Sequence, residues 1–170
     1  MSVYPVILAG SKITTDMIES LQVQTAIKTA ATSRISTTVI VADPELQFAV
    51  EAGAEYIGDF YFRISGAAAA DMDLQFTTPA GASGSWASTG RLAGTAIADT
   101  DARTSVRNAI NAEIQLSTPS TSTAQGVQGA YRITMGGTAG TFSIDWAQTV
   151  STATNTVMEA DSWITLRRVA

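Results

Sequence analysis

The sequence predicts an all-β protein: an antiparallel β-sandwich of jelly-roll type, preceded by a short N-terminal arm that contains one helix. Two observations indicate the sandwich. Apolar and polar residues alternate along several short segments, and turns rich in Gly or Pro separate those segments. A third observation sets the arm apart, because the apolar period becomes two only after Lys28. We therefore divide the chain into an arm, 1–30, and a sandwich domain, 31–170.

The predicted strands follow from this alternation. They cover residues 35–41, 46–50, 56–65, 72–76, 131–135, 142–146 and 162–169. Asp43-Pro44-Glu45 predicts a turn, and the segments 117–126 and the glycine-serine tract around Gly84 predict loops. Residues 103–117 fit both helical and strand spacing, and the strands around them favour a strand.

The arm contains the signals of one short helix. Thr14 is a suitable N-cap, and Ile13 and Ile18 have the spacing of a hydrophobic staple. Met17, Ile18 and Leu21 then share one face. About two turns of helix are not stable alone in water. We therefore expect the arm to dock on its own domain or on another protein.

Composition excludes most familiar catalytic sites. The chain has no cysteine and no histidine, so disulfides, thiolate nucleophiles, imidazole bases and the commonest zinc ligands are all missing. Charged residues are 15% of the chain against an average of about 25%, which is typical of a surface that packs against other protein. The net charge is −5 with only two lysines, Lys12 and Lys28, so we expect no nucleic-acid partner.

The sequence also predicts no membrane partner. No apolar stretch reaches the roughly 18 residues that a membrane span needs. The opening MSVYPVILAG has no basic residues before its apolar run, and Pro5 interrupts that run, so we do not expect a signal peptide. Synthesis in a cytoplasm is the resulting expectation.

Carboxylates are the remaining candidates for metal binding or catalysis. Asp71 and Asp73 lie two residues apart on one predicted strand, and Asp99 and Asp101 repeat that spacing. A calcium site recruits more oxygen ligands from a tight loop, and glycoside hydrolysis needs an acid and a base across a cleft. Neither pattern stands out here, so we predict no metal, no cofactor and no enzymatic activity.

Two predicted strands carry apolar residues on both faces. Ile57 and Tyr61 lie on the face opposite the main apolar side of one strand, and Trp163 and Arg167 do so on the last strand. A strand that is apolar on both faces is covered on both faces. We therefore predict that these four residues contact another subunit.

Trp86 has two interpretations. It lies between small residues in GASGSWASTG. A large aromatic side chain in that position fills one end of a sandwich core, which is the favoured interpretation. The alternative makes the indole ring a stacking platform for a host glycan.

Three long blocks of the chain resemble small virion structural proteins of tailed phages that infect actinobacteria, of the minor tail and head-decoration type. The blocks are LAGSKITTDMIESLQVQ, VADPELQFAVEAGAEYIGDFYFRISGAAAADMDLQFTTPAGA and AGTFSIDWAQTVSTATNTVMEADSWITLRRVA. Residues 88–127 carry little of the likeness.

The resemblance implies a non-catalytic sandwich, a homotrimer in the virion, attached to phage capsid or tail proteins through its arm. The docking residues that it implies are Ile7, Leu8, Ile13, Met17, Ile18 and Leu21. The alternative function is a carbohydrate-binding module or host-surface adhesin, with Trp86, Tyr131 and the threonine-rich loops as its binding surface.

Overall fold

The structure, a computed structural model, describes residues 9–10, 12–14, 18, 22–90 and 106–170. Within these ranges almost all regular structure is β-strand, which confirms the predicted class. The strands in chain order are β1 (Gln24–Ile27), β2 (Thr32–Arg34), β3 (Val41–Val50), β4 (Glu55–Gly66), β5 (Met72–Thr77), β6 (Ser83–Thr89), β7 (Val106–Ala109), β8 (Ile114–Leu116), β9 (Gln125–Thr134), β10 (Gly140–Ala147), β11 (Thr156–Met158) and β12 (Trp163–Arg168).

The strands form two antiparallel sheets. The large sheet has the order β1-β12-β4-β9-β6-β7, with β11 beside β4 and β2 beside β11, and the small sheet has the order β3-β10-β5-β8. If β2, β6, β7 and β11 are set aside, the remaining eight strands read first-eighth-third-sixth in one sheet and second-seventh-fourth-fifth in the other. This is the winding order of a jelly roll, a fold of two four-stranded sheets.

Aromatic side chains fill the space between the two inner faces. Phe60 and Trp86 come from the large sheet and Phe76 and Phe142 from the small one, and all four are buried. Phe76 stacks on Phe142 with 5.5 Å between ring centroids and meets Trp86 edge-on at 4.9 Å. Full burial of one such side chain stabilises the fold by about 1.5–3 kcal/mol. The inner faces are thus occupied by the core, and the outer faces remain for other contacts.

The structure corrects the boundary of the arm. Residues 24–27, predicted as arm, form β1 and pair with β12, from Gln24 opposite Leu166 to Ile27 opposite Trp163. The alternation of apolar and polar residues is short there, and the apolar residues before it made the strand hard to recognise in the sequence. Ile18 is the only helical residue in the described ranges, and its amide donates to the carbonyl of Thr14 at 3.2 Å. The rest of the predicted helix, including Met17 and Leu21, lies outside the described residues.

The predicted turn at Asp43-Pro44-Glu45 is a bulge inside one strand. Residue Gln47 pairs with Ser143 and Ala42 with Asp145, so the residues between them leave the ladder. The Asp43 carboxylate accepts a hydrogen bond from the Glu45 amide at 3.0 Å, a local pattern typical of turns. Because β3 is an edge strand, a proline that donates no hydrogen bond is tolerated there.

One loop prediction and one strand prediction need comment. The tract around Gly84 is not a loop but strand β6, which lies between β9 and β7. Small residues are compatible with a strand here because β7 and β9, on either side, pair with the backbone of β6. The preference for strand in 103–117 is confirmed from residue 106 onward, as the two short strands β7 and β8.

No helix in the described ranges has the length and hydropathy of a membrane span.

Candidate functional site

The outer face of the large sheet collects the residues predicted for a subunit interface. Along β4, Ile57 and Tyr61 point away from the core because residues on a strand alternate between faces. Trp163 lies opposite Tyr61 and Arg167 opposite Ile57 in the pairing of β12 with β4. The antiparallel register therefore brings the four residues together on one surface, although about a hundred positions separate the two strands.

Asp59 completes this surface, which we call the outer patch: Ile57, Asp59, Tyr61, Trp163 and Arg167. Asp59 and Arg167 are exposed, and the other three side chains are partly exposed. Two apolar side chains of the neighbouring segment extend the patch. Val23 and Ile27 are 53% and 54% exposed, and Ile27 lies opposite Trp163.

Tyr61 lies across the neighbouring strand β9. A Cβ atom at Gly126 would come within 2.8 Å of the Tyr61 hydroxyl and within 3.1 Å of ring atoms, so the ring covers this glycine. An aromatic ring that covers a strand glycine packs against backbone that no side chain shields. The absence of a side chain at Gly126 therefore determines where the Tyr61 ring lies in the outer patch.

A second glycine positions the strands beneath the patch. Gly58 lies opposite Tyr131, whose ring is buried and whose hydroxyl donates to the carbonyl of Thr165. The hydroxyl of Thr165 in turn accepts from the Asp59 amide at 3.0 Å and donates to the Asp59 carbonyl at 3.2 Å. Burial raises the pKa of the Tyr131 phenol, and the nearby Asp59 charge adds to the effect. Tyr131 therefore stays a neutral hydrogen-bond donor that connects β9 to β12 across β4.

Two open hollows lie side by side on the outer patch. One has a volume of about 440 Å³ and is lined by Tyr61, Trp163 and Gln128 among others. The second, of about 340 Å³, is lined by Ile57, Thr165 and Arg167 among others. Asp59 and Ala130 border both hollows. The patch is thus a shallow surface with aromatic, aliphatic and charged parts, and not an enclosed cleft.

Charges around the patch are mostly paired within the chain. Arg132 forms an ion pair with Glu55, and Arg63 lies 3.2 Å from Asp161. In the described part of the chain, neither the Asp59 carboxylate nor the Arg167 guanidinium has a hydrogen bond or an ion pair. These two opposite charges remain available to a partner.

The outer face of the small sheet has a different character. The Asp145 carboxylate accepts hydrogen bonds from Ser143 at 2.6 Å and from Thr77 at 2.9 Å. Asp73, an earlier metal candidate, accepts from Thr149 at 2.6 Å. Because these polar groups satisfy one another, this face offers few unpaired groups and little apolar surface.

The two metal candidates in the described part of the chain bond to different residues. The Asp71 carboxylate accepts a hydrogen bond from the Thr118 amide at 3.1 Å, whereas Asp73 bonds to Thr149. Asp99 and Asp101 lie outside the described residues. Within the described ranges no three Asp or Glu side chains are close enough to hold a metal ion.

The structure places Trp86 in the core. Its side chain is 1% exposed and its indole nitrogen donates to the Ala109 carbonyl at 3.0 Å. A ring enclosed in this way has no free face for a sugar, which corrects the alternative interpretation of Trp86 as a glycan contact. Tyr131 is also buried, so it too cannot serve as an adhesin surface.

Sequence reasoning missed a buried polar cluster at one side of the sandwich. The Lys28 ammonium group lies 2.9 Å from both Asp43 carboxylate oxygens and 3.3 Å from Glu45. The Trp146 indole donates to Asp43 at 3.1 Å. The Arg34 guanidinium lies 4.1 Å from the centre of the Trp146 ring, and burial lowers the pKa of Arg34. This cluster joins the start of the domain to the edge of the small sheet.

No family model matches the chain, and no curated protein matches it. Similar solved structures include the tripod from the baseplate of bacteriophage Tuc2009, at 12% identity and a TM-score of 0.29, with 95% of this chain and 72% of that chain covered. The Gt strain of infectious bursal disease virus has 10% identity and a TM-score of 0.24, over 87% of this chain and 42% of the other. The VP2 subviral particle of that virus has 10% identity and a TM-score of 0.22, over 88% and 41%.

These neighbours come from a phage baseplate and from virus particles. The chain spans less than half the length of the two bursal disease virus chains. The TM-scores of these three comparisons are all below 0.5.

Proposed function

We propose that this chain is a non-enzymatic structural protein of a phage virion, exposed on the particle as a head-decoration or minor tail protein. In this proposal the chain self-associates through the outer patch and is anchored by its N-terminal arm. The observation that carries the proposal is the contrast between the two outer faces: the large sheet leaves aromatic and aliphatic side chains at least partly exposed, whereas polar side chains of the small sheet such as Asp73 and Asp145 are buried or partly buried and accept hydrogen bonds within the chain.

Burial of the outer patch supplies the energy for self-association. Apolar surface removed from water contributes roughly 25 cal/mol per Å², and a stable interface buries more than about 1,000 Å² in total. The apolar side chains of the outer patch lie on the same face of the large sheet as Val23 and Ile27. In this proposal, contact with a sister copy covers these side chains, including the partly exposed ones of Ile57, Tyr61 and Trp163.

The virion part of the proposal depends on the resemblance of three sequence blocks and on the arm. Ile13 and Ile18 are 67% and 49% exposed, so their apolar side chains are available for docking. The docking residues Ile7, Leu8, Met17 and Leu21 lie outside the described residues and stay a prediction. One short arm buries little surface, but several arms on one oligomer act at high effective concentration on a repeating particle surface.

Particle binding by the full chain tests the anchor. Ile13→Asp with Ile18→Asp should abolish sedimentation of the purified protein with particles that lack it, because two charges would enter an apolar contact. Ile35→Asp is the matched control, since Ile35 is also exposed, at 51%, but lies beyond the arm. Undiminished binding of the double variant would show that the arm is not the anchor.

A carbohydrate-binding function is the second candidate, favoured by one observation. Tyr61 and Trp163 are adjacent aromatic side chains on a hollow that also contains Gln128 and Asp59, and sugars bind to aromatic faces beside polar groups. Titration with host-wall polysaccharide while tryptophan fluorescence is recorded tests this function. A saturable change that Trp163→Phe removes would support it, whereas a structural role alone predicts no response.

A further inference from the structure

We infer that Asp59 of one copy forms an ion pair with Arg167 of a neighbouring copy at the centre of the outer patch. The inference rests on the proposed self-association and names the charged contact that orients it. Both side chains are exposed, and neither has a hydrogen bond or ion pair in the described part of the chain.

The two charges are neighbours in each chain but do not meet there. Arg167 lies opposite Ile57, and Asp59 is two residues further along β4, so the pair is diagonal in the sheet. Side chains in diagonal positions start about 7–8 Å apart at their Cα atoms. No ion pair within 4 Å joins them in the described structure. Each therefore offers its charge outward, beside a charge of opposite sign.

This arrangement is self-complementary. Half a turn about an axis between Asp59 and Arg167 places the carboxylate of each copy over the guanidinium of the other. In the contact between two copies, the surrounding Ile57, Tyr61 and Trp163 would exclude water from the charges. Exclusion of water strengthens the attraction between correctly paired charges and penalises an unpaired charge. Complementary charges of this kind determine which surfaces pair and in what orientation.

The composition of the patch favours a second copy over other occupants. The aliphatic side chains of Val23, Ile27 and Ile57 gain by contact with protein apolar surface and offer nothing to sugar hydroxyls. One positive and one negative charge side by side give no preference for a strongly acidic or strongly basic partner. A surface that carries both halves of the pair fits another copy of itself.

Charge reversal tests the contact in the full chain. Asp59→Arg and Arg167→Asp should each weaken self-association by at least about tenfold, measured by sedimentation velocity, because each puts like charges together. The double variant D59R/R167D should restore association, since it exchanges the two partners. Arg107→Asp is the control: Arg107 is exposed on the same sheet at edge strand β7, outside the patch, and its reversal should change nothing. Circular dichroism checks that each variant is folded.

Mixing the two single variants identifies the symmetry. In a two-fold pair, one D59R chain and one R167D chain form two correct Asp–Arg contacts, so the mixture should associate as the unsubstituted protein does. In a ring of three, one contact always joins like charges, and only the double variant should be restored. Either result supports the contact.

Two results would overturn the inference. One is a monomeric unsubstituted chain at high concentration, including a monomer that binds polysaccharide through the patch. The other is self-association that neither single variant weakens. The second result would leave the proposed virion role intact, because that role is tested separately by Ile13→Asp with Ile18→Asp on particles.

Discussion

The ammonium group of Lys28 lies 2.9 Å from each carboxylate oxygen of Asp43, and both side chains are fully buried. Lys28 follows edge strand β1 of the large sheet, and Asp43 lies on edge strand β3 of the small sheet. The pair therefore connects the two sheets where no backbone hydrogen bond can. Thr32 accepts a third hydrogen bond from Lys28 at 2.9 Å, so the buried ammonium group is well satisfied.

Disruption of this pair should destabilise the whole domain. Asp43→Asn leaves the buried ammonium without its main counter-charge, and such a loss costs about 3–5 kcal/mol. Urea unfolding followed by tryptophan fluorescence measures the free energy. Asp161→Asn is the control, because the Arg63–Asp161 pair is exposed and an exposed pair contributes less than about 1 kcal/mol. Equal effects of the two substitutions would contradict a structural role for the buried pair.

The free energy of unfolding should fall at acid pH because Glu45 becomes protonated. Hydrogen bonds from the hydroxyl and the amide of Thr29, with Lys28 nearby, lower the pKa of Glu45 from 4.5 to about 2. A carboxyl group whose pKa is lower in the folded chain stabilises the fold above its unfolded pKa. That contribution is lost as the pH falls from 4.5 toward about 2.

The variant Glu45→Gln isolates this contribution. Its urea midpoint should fall less steeply between pH 4.5 and pH 2 than that of the unsubstituted chain, since it has no carboxyl to protonate. The measurement is a series of unfolding curves across that window. Identical slopes for the two proteins would exclude Glu45 as a source of acid sensitivity.

Gly58 should resist substitution. A Cβ atom at this position would collide with the Thr165 carbonyl and would lie 2.5 Å from the Tyr131 hydroxyl. Gly58→Ala must displace the hydrogen bond that connects β9 to β12, and overpacking of this kind costs about 1–3 kcal/mol. Gly137→Ala is the matched control, because nothing lies within 4 Å of its added Cβ. A Gly58→Ala protein as stable as the control would mean that the strands shift freely here.

Period-two alternation showed which of Ile57, Tyr61, Trp163 and Arg167 share a face of a strand, but it predicted neither the place of Asp59 among them nor their arrangement. It placed Ile57 and Tyr61 on one face of β4 because side chains alternate strictly along a strand. It did not predict that Trp163 lies opposite Tyr61, since register between distant strands depends on the whole fold. Gly58 and Gly126 were the overlooked signals, because a glycine inside a strand often marks close approach of another group.

The buried cluster and strand β6 were missed for related reasons. Lys28 and Asp43 lie on either side of a predicted boundary and have no local pattern that pairs them. Their contact exists only because β1 and β3 meet at one side of the sandwich. Strand β6 has small residues around Trp86, and a segment of this composition is typical of a flexible loop. Neighbouring strands on both sides determine its conformation instead.

Tryptophan quenching should report coverage of the outer patch. Trp86 and Trp146 are 1% and 0% exposed, so Trp163 is the tryptophan that acrylamide can reach. In the proposed oligomer a sister copy covers Trp163, and dilution should therefore raise the quenching constant as copies separate. The Asp59→Arg protein should show the higher constant at every concentration, and Trp163→Phe should remove the dependence. A quenching constant that does not change on dilution, in a chain that sedimentation shows to dissociate, would place the contact elsewhere on the molecule.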